Sequence, residues 1–435
     1  MAVLPKREKL LLILILVLSL LPAVARAEDW PKWRGPQGND VVDESSGWEA
    51  GAWPPKEEWS RNVGEGCTSP LVVGDRVYTL GWRSNRDTLF CLDAATGAEI
   101  WKQSYECPEY GRKSDGDKGI YSGVTSTPSY DADTGLLYSL STDGDLVCWN
   151  TRQSGKRVWD MNLYDEFDPP MRPRVGRSGR RDYGYTSSPL VWGDWVVVEV
   201  GSPEHGNTLA FDKQTGRRLW ASQSKDHAGH AGGLAPIMVE GAACAAVLTF
   251  SNLLVMRLDR GHEGETVAEY PWQTDFANSI ASPAVHENNV LITSAYNHYA
   301  ICKLRITLRG AEKVWEVEES SNVCTPVVYN GHVYWACRQL HCLDFETGKV
   351  KWKGKNELGT PGSCIVTRDG RLITWANRGD LVLTETADRS PDRYTELARI
   401  EGVFRTDVWP HVVLSNGCLY CKDRAGNLKR FALRP

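Results

Sequence analysis

Leu92-Asp93-Ala94-Ala95-Thr96-Gly97-Ala98-Glu99-Ile100-Trp101 returns, with drift, as Phe211-Asp212-Lys213-Gln214-Thr215-Gly216-Arg217-Arg218-Leu219-Trp220 and as Leu343-Asp344-Phe345-Glu346-Thr347-Gly348-Lys349-Val350-Lys351-Trp352. An apolar run, an aspartate, a Thr-Gly turn and a tryptophan at constant offsets are the mark of a structural repeat, and its period fixes the architecture before any single element is read. Upstream, the first copy opens at Thr68-Ser69-Pro70 and closes on Trp101. The interval from Pro70 to Trp101 is kept without change from Pro128 to Trp159 and from Pro189 to Trp220. Further copies run from Ala235-Pro236 to Trp272, Ser282-Pro283 to Trp315 and Thr325-Pro326 to Trp352. A seventh opens at Ser363-Cys364, with cysteine in the place of proline, and an eighth runs from Trp409-Pro410 to about Phe431.

Within a copy, short apolar runs such as Leu71-Val72-Val73, Val77-Tyr78-Thr79-Leu80 and Leu89-Phe90-Cys91-Leu92 are separated by Gly74-Asp75, Ser84-Asn85 and Thr96-Gly97. That pattern predicts four short antiparallel strands per repeat. One such sheet leaves both faces bare, and a radial array of them buries both, so the sequence predicts an all-β, eight-bladed β-propeller. The eighth copy ends before a closing strand. Trp59 precedes Pro70 by the same offset that Trp272 and Trp315 keep from Pro283 and Pro326. The N-terminal strand is therefore expected to complete the C-terminal blade and leave no open sheet edge.

Residues 1–27 read as an export signal: Lys6, Arg7 and Lys9, an apolar run from Leu10 to Leu21, and Ala25-Arg26-Ala27 before Glu28. No cysteine follows the apolar run to take a lipid anchor. The expected organisation is a signal at 1–27, an N-terminal arm at 28–58 and the propeller at 59–435, in a periplasmic or secreted protein with no transmembrane span after cleavage. Removing the signal takes away four basic residues and one acidic, leaving 46 and 54 and a formal charge of −8. That balance argues against nucleic acid as a partner, which needs a basic surface.

Twelve cysteines in an exported chain raise the question of disulfides. Cys91, Cys148 and Cys342 recur at one place in the third strand, as small buried side chains do. Cys337 and Cys342 flank a tight turn and are a candidate pair across it. Cys418 and Cys421 have the spacing of a metal or redox site, but residues three apart on a strand face opposite ways, so they are read as core.

Function is sought where the repeat stretches, because propeller loops at one end of the channel carry it. The stretches from Trp101 to Pro128 and from Trp159 to Pro189 are much longer than the equivalent ones from Trp220 to Pro236, Trp272 to Pro283 and Trp315 to Pro326. The second of the long loops holds Arg172, Arg174, Arg177, Arg180 and Arg181, then Asp182, Tyr183 and Tyr185. Guanidiniums at this density can hold an anionic group bidentately, and they can equally be a solvated run paired with Asp165, Glu166 and Asp168. Asp226, His227 and His230 have the spacing of metal ligands in the following loop. Asn278, Ser279, Asn322, Thr360, Arg405 and Asp407 fall at equivalent places on the same rim. No haem-attachment, zinc-protease, phosphate-loop or nucleophile-elbow motif is present, and the catalytic residues of any enzyme reading stay unknown.

The repeat motif quoted above, together with Asp29-Trp30-Pro31-Lys32-Trp33-Arg34-Gly35-Pro36, resembles the bacterial pyrroloquinoline-quinone-like (PQQ-like) propeller family from about residue 29 to the end. The resemblance implies that Trp59, Trp101, Trp159, Trp220, Trp272, Trp315 and Trp352 dock blade against blade. It also implies two kinds of function. Some members are periplasmic alcohol or sugar dehydrogenases holding PQQ with calcium. Others resemble BamB, a scaffold of the outer-membrane assembly machine that carries no cofactor. This chain lacks the adjacent cysteine pair of many of the dehydrogenases and has no haem domain. The leading expectation is a non-catalytic binding or scaffold protein with envelope proteins as partners, through the face formed by loops 102–127 and 160–188. The rivals are a PQQ- and calcium-dependent dehydrogenase, and a binder of a small anionic ligand or glycan through the arginine-rich loop.

Overall fold

The computed structural model describes residues 28–112, 123–173, 182–275 and 279–433, so the expected signal at 1–27 lies outside the described residues. Eight sheets ring a central axis, each built from four antiparallel strands with the first strand innermost. Blade 1 runs Leu71–Val73, Arg76–Arg83, Arg86–Asp93 and Glu99–Glu106, and the later blades repeat that order. The last blade is closed as the tryptophan spacing requires: Lys56–Asn62 pairs antiparallel with Asn427–Ala432, and Trp59 stands opposite Arg430. One departure is a fifth strand in blade 7, where Val41–Val42 runs parallel to the inner strand Gly362–Thr367. A short helix, Leu163–Phe167, follows blade 2 and is capped by the Asn162 side chain. Among the described residues no helix is long and apolar enough to cross a membrane.

Every blade carries a one-residue register shift between its third and fourth strands. A bulge of this kind re-aims the side chain beside it. The residue just after the skipped one is Trp59, Trp101, Trp159, Trp220, Trp315 or Trp352 in six blades. These rings reach the next blade. Trp59 donates its indole N–H to the Ala94 carbonyl at 3.0 Å, Trp159 to Lys213 at 3.2 Å, Trp315 to Phe345 at 3.0 Å and Trp352 to Ser390 at 3.1 Å.

For Trp59, Trp159 and Trp315 the receptor is the Thr-Gly turn of the next blade. Asp93 Oδ1 accepts from Thr96 N at 2.9 Å and from Thr96 Oγ1 at 2.8 Å, which fixes the turn. Gly97 then takes a φ of +66°, and a Cβ placed on it would lie 2.7 Å from the Trp59 ring. Glycine is required both by the backbone and by the neighbour.

Trp272 does not share this role. The bulge in blade 4 presents Ala268, and Trp272 follows the strand end, its ring 4.0 Å from His298 of blade 5. The receiving blade differs: the third and fourth strands of blade 5 join through a tight hairpin, with Thr307 opposite Gly310, so no extended turn stands there to receive a ring. The same logic explains Ala398 in blade 7. Its neighbour, blade 8, takes its third and fourth strands from the two chain ends and has no connecting turn.

Cys91, Cys148 and Cys342 are buried and stand opposite Tyr78, Tyr138 and Tyr334 in the second strand. All twelve cysteines are free thiols. The expected pair across the blade 6 turn is not made, because Cys337 registers against Gln339 while Cys342 registers against Tyr334. Cys418 and Cys421 are buried in one strand, consistent with core positions.

Candidate binding face at the channel mouth

Loops from an outer strand to the next inner strand collect at one mouth of the channel, and the turns after the inner strands collect at the other. The N-terminal arm enters from the second side. Asp29 accepts from Gly74 N at 2.8 Å in the blade 1 turn, and Glu44 accepts from Asn416 N at 2.7 Å and Gly417 N at 2.6 Å in the blade 8 turn. Between these anchors the chain rises into the channel and returns. Trp30, 1% exposed, exchanges two backbone hydrogen bonds with Val72 of blade 1. Tyr130 N of blade 2 donates to the Pro31 carbonyl at 2.8 Å. The Trp33 indole donates to Ser282 Oγ at 3.0 Å, and a Cβ on Gly232 would lie 2.7 Å from its ring. Arg34 donates to the carbonyls of Pro283 at 3.4 Å and Pro326 at 3.0 Å, in blades 5 and 6.

The channel holds a buried ion pair, and Lys32 beside it is half-buried, its ammonium held below its ordinary value by burial. Arg34 Nε pairs with Asp40 Oδ2 at 2.5 Å, and His411 Nε2 lies 3.1 Å from the other oxygen. Both members of the first pair are buried, so each offsets the other's desolvation cost. What remains beside Lys32, Trp33, Arg34 and Gly38 is a cavity of about 20 Å³ against the inner strands of blades 2 to 5. That is space for about one water. A flat tricyclic quinone with three carboxylates and a calcium ion is far larger than the space left in this part of the channel.

At the opposite mouth the two long loops are stitched to the rim by arginines. Arg112 binds Asp143 through its backbone N and through Nε at 2.8 Å, and reaches Asp145 at 3.4 Å and Asp165 at 2.9 Å. Arg172, 5% exposed, pairs with Asp182 at 2.5 Å and donates to the carbonyls of Ala228 at 2.6 Å and Gly229 at 3.3 Å. Burial alone would raise the Asp182 carboxyl, yet Arg172 beside it holds it below the usual carboxylate range. Arg172 is thus a buried staple between the second loop and blade 4 rather than a guanidinium offered to a ligand. Tyr185 is likewise inside, its hydroxyl donating to the Val200 carbonyl at 2.9 Å. Tyr183 is half-buried against His230, with ring centroids 5.0 Å apart. Arg174, Arg177, Arg180, Arg181 and Asn278 lie outside the described residues. On the rim, Arg405 is exposed, Asn322 and Asp407 are half-buried, and the Asp407 carbonyl accepts from Arg424 N at 3.0 Å.

The histidine spacing does not become a ligand set. The Asp226 carboxylate is consumed by the turn below it, accepting from Thr249 Oγ1 at 2.6 Å, Ser251 N at 2.8 Å and Asn252 Nδ2 at 3.2 Å. His227 packs on Phe250, while His230 turns to Tyr183. Among the described residues the only group of three ligand atoms within 4.8 Å is Cys107, Asp143 and Asp145, where the Arg112 guanidinium already supplies the counter-charge.

Spacing alone did not signal the carboxyls that the fold buries on this face. Asp87 is pushed up to about 7 and Glu199 to about 7, burial being the main cause in both. Asp143 is raised to about 6 by burial, against the pull of Arg112. Lys422 is driven down to about 8 by burial; its ammonium donates to the carbonyls of Thr68 at 3.0 Å and Leu80 at 2.9 Å. Each sits in a blade at an ordinary repeat position, and only its neighbours across the fold make it anomalous.

Comparison with known proteins agrees with this geometry. The family model described as outer membrane protein assembly factor BamB matches residues 86–354. BamB from Moraxella catarrhalis superimposes with a TM-score of 0.56 at 12% identity, over 87% of this chain and 99% of that one. The quinohemoprotein alcohol dehydrogenase of Comamonas testosteroni gives 0.62 at 13%, over 93% and 80%. The C-terminal WD40 domain of Sif2 gives 0.53 at 8%, over 87% and 98%. Likenesses at such identities show the fold alone. No curated protein matches the sequence. With its eight bladed repeats and a family match across more than half its length, the chain belongs to the PQQ-like propeller family described by the outer membrane protein assembly factor BamB.

Proposed function

We propose that the protein is an exported, non-catalytic binding or scaffold propeller that engages envelope proteins through the face bearing loops 102–127 and 160–188. The observation that carries this reading is the arm inside the channel. A propeller enzyme of this family needs its axis for a cofactor and substrate. Here Trp30, Trp33, Arg34 and Asp40 occupy the axis, tied by hydrogen bonds to blades 1, 5, 6 and 7, and leave about 20 Å³ beside them. The described parts of the two long loops are held at the opposite mouth by Arg112 and Arg172, and the family match to an assembly factor supports a protein partner there.

The experiment is a titration of the purified mature chain with PQQ and calcium, followed by absorbance and by dye-linked oxidation of alcohols and sugars. The expected result is no stoichiometric quinone uptake and no dye reduction above the protein-free rate. Uptake of one equivalent with turnover would overturn the scaffold reading and establish the dehydrogenase.

A further inference from the structure

Blade 7 opens on Cys364 where the repeat otherwise has proline, and the structure gives that substitution a neighbour. Cys324 precedes the inner strand of blade 6, and its Sγ lies 3.8 Å from Cys364 Sγ. Both residues are buried, at 1% and 0% exposure. The sulfurs face each other across the blade boundary with only weak polar contacts. The Cys324 thiol lies 3.6 Å from the Thr325 carbonyl and accepts from Ala336 N at 3.4 Å, and the Cys364 thiol lies 3.9 Å from the Tyr334 carbonyl. A disulfide needs sulfurs at about 2 Å, so the two side chains together must travel less than the width of a methyl group. Cys337 and Cys342, close in sequence, are by contrast held on different cross-strand partners.

We propose that Cys324 and Cys364 form a disulfide that bolts blade 6 to blade 7 when the chain folds under oxidising conditions. The oxidant is a disulfide of the compartment, either a small one such as glutathione disulfide or a protein dithiol oxidase. One thiolate attacks it, forming a mixed disulfide and expelling one thiol. The second thiolate attacks the mixed disulfide and expels the other thiol. Two thiols are oxidised and one external disulfide is reduced to two thiols, which take up the protons lost from Cys324 and Cys364. Because both sulfurs are buried once blade 7 docks, the exchange takes place during folding or on opening of the ring.

The bolt has a defined consequence. Cys364 lies on Gly362–Thr367, the strand against which Val41–Val42 of the arm pairs in parallel, with Val366 N donating to the Asp40 carbonyl at 2.9 Å. Cross-linking this strand to blade 6 fixes the wall that holds the arm in the channel. Closing a loop of about 40 residues restricts the unfolded chain substantially.

The test refolds the purified mature chain in a glutathione redox buffer, alkylates it in denaturant and maps peptides without reduction. The chain's location in the cell does not enter, so failure here leaves the export proposal untouched. The expected product links peptide 314–338 to the peptide carrying Cys364, with fragmentation placing the bond at Cys324 and not at Cys337 in the same peptide. Oxidised protein should melt several degrees above the dithiothreitol-treated form. C324S and C364S should each lose the linked peptide and the difference between the two forms. Full alkylation of both cysteines after oxidative refolding, with no linked peptide, would overturn the proposal, and it needs no variant to fold.

Discussion

Trp59→Ala should open the ring at one seam. The seam is the only place where a blade is completed by strands from the two chain ends, so no covalent turn keeps Lys56–Asn62 beside Asn427–Ala432. Within that strand Trp59 is the one buried residue, the other six side chains being exposed. Its ring stacks over Gly97 and its N–H reaches the Ala94 carbonyl at 3.0 Å, which ties blade 8 to blade 1. A buried tryptophan removes roughly 150–250 Å² from water, which at about 25 cal/mol per Å² is about 4–6 kcal/mol. Measured truncations of buried aromatic residues fall at about 3–5 kcal/mol. A loss of about 4 kcal/mol is therefore expected, and it should be local: the N-terminal strand detaches before the ring unfolds. Urea titration followed by hydrogen exchange of residues 56–62 tests this. Exchange of that strand should rise at urea concentrations that leave blades 3 to 5 protected. Gly97→Ala attacks the same contact from the other side, through a strained φ and a Cβ 2.7 Å from the ring, and should cost about 1–3 kcal/mol with the same early exchange. A loss below about 1 kcal/mol for Trp59→Ala, or uniform exchange around the ring, would refute the argument that this tryptophan closes it.

Two further outcomes are expected. Asp87, with its carboxyl raised to about 7 mainly by burial, contributes stability that is complete below its unfolded value near 3.8 and is lost as pH rises through 7. Asp87→Asn should therefore gain on the order of 4 kcal/mol over the parent at pH 8 and less than half of that at pH 5, read as urea midpoints across that range; a constant difference would show that the burial cost is not carried by its ionisation. Arg34→Met removes one partner of a buried pair and leaves Asp40 with His411 alone. It should cost about 3–5 kcal/mol and expose residues 28–45 to protease, whereas an unchanged cleavage pattern would mean the arm is held without that pair.

The ring was legible because its devices are local and repeated. Asp93, Thr96 and Gly97 build a turn from three neighbouring residues, and Trp101 follows at a fixed offset, so spacing alone carried the blade count and placed Trp59 in the last blade. Trp272 shows where this reasoning stops. It stands further from Pro236 than Trp101, Trp159 and Trp220 stand from the prolines that open their copies, and the stretched interval reflects a different role that depends on the missing turn in blade 5. The mouth was less legible still. Arginine density left a ligand site and a paired run both open, and whether Arg172 is a staple or a hook depends on Asp182 and on carbonyls of residues 228 and 229 in another blade. Asp226 looked like a ligand because its hydrogen-bond donors at 249 to 252 are distant in sequence. Asp87 and Glu199 gave no signal, since their environment is made by other strands.

The arm changes what the family fold can mean in this chain. A propeller's axis is the natural place for a ligand, because inner strands from every blade converge there. In this protein the inner strands of blades 1, 2, 5 and 7 instead hold backbone or side-chain hydrogen bonds to residues 30–41. The cost of vacating the channel is then the sum of those bonds, the Arg34–Asp40 pair and the burial of Trp30 and Trp33. No small ligand recovers all of these at once, because they are spread over several blades. On the side where the arm enters, the axis serves as the protein's own core, and recognition is accordingly proposed at the opposite mouth.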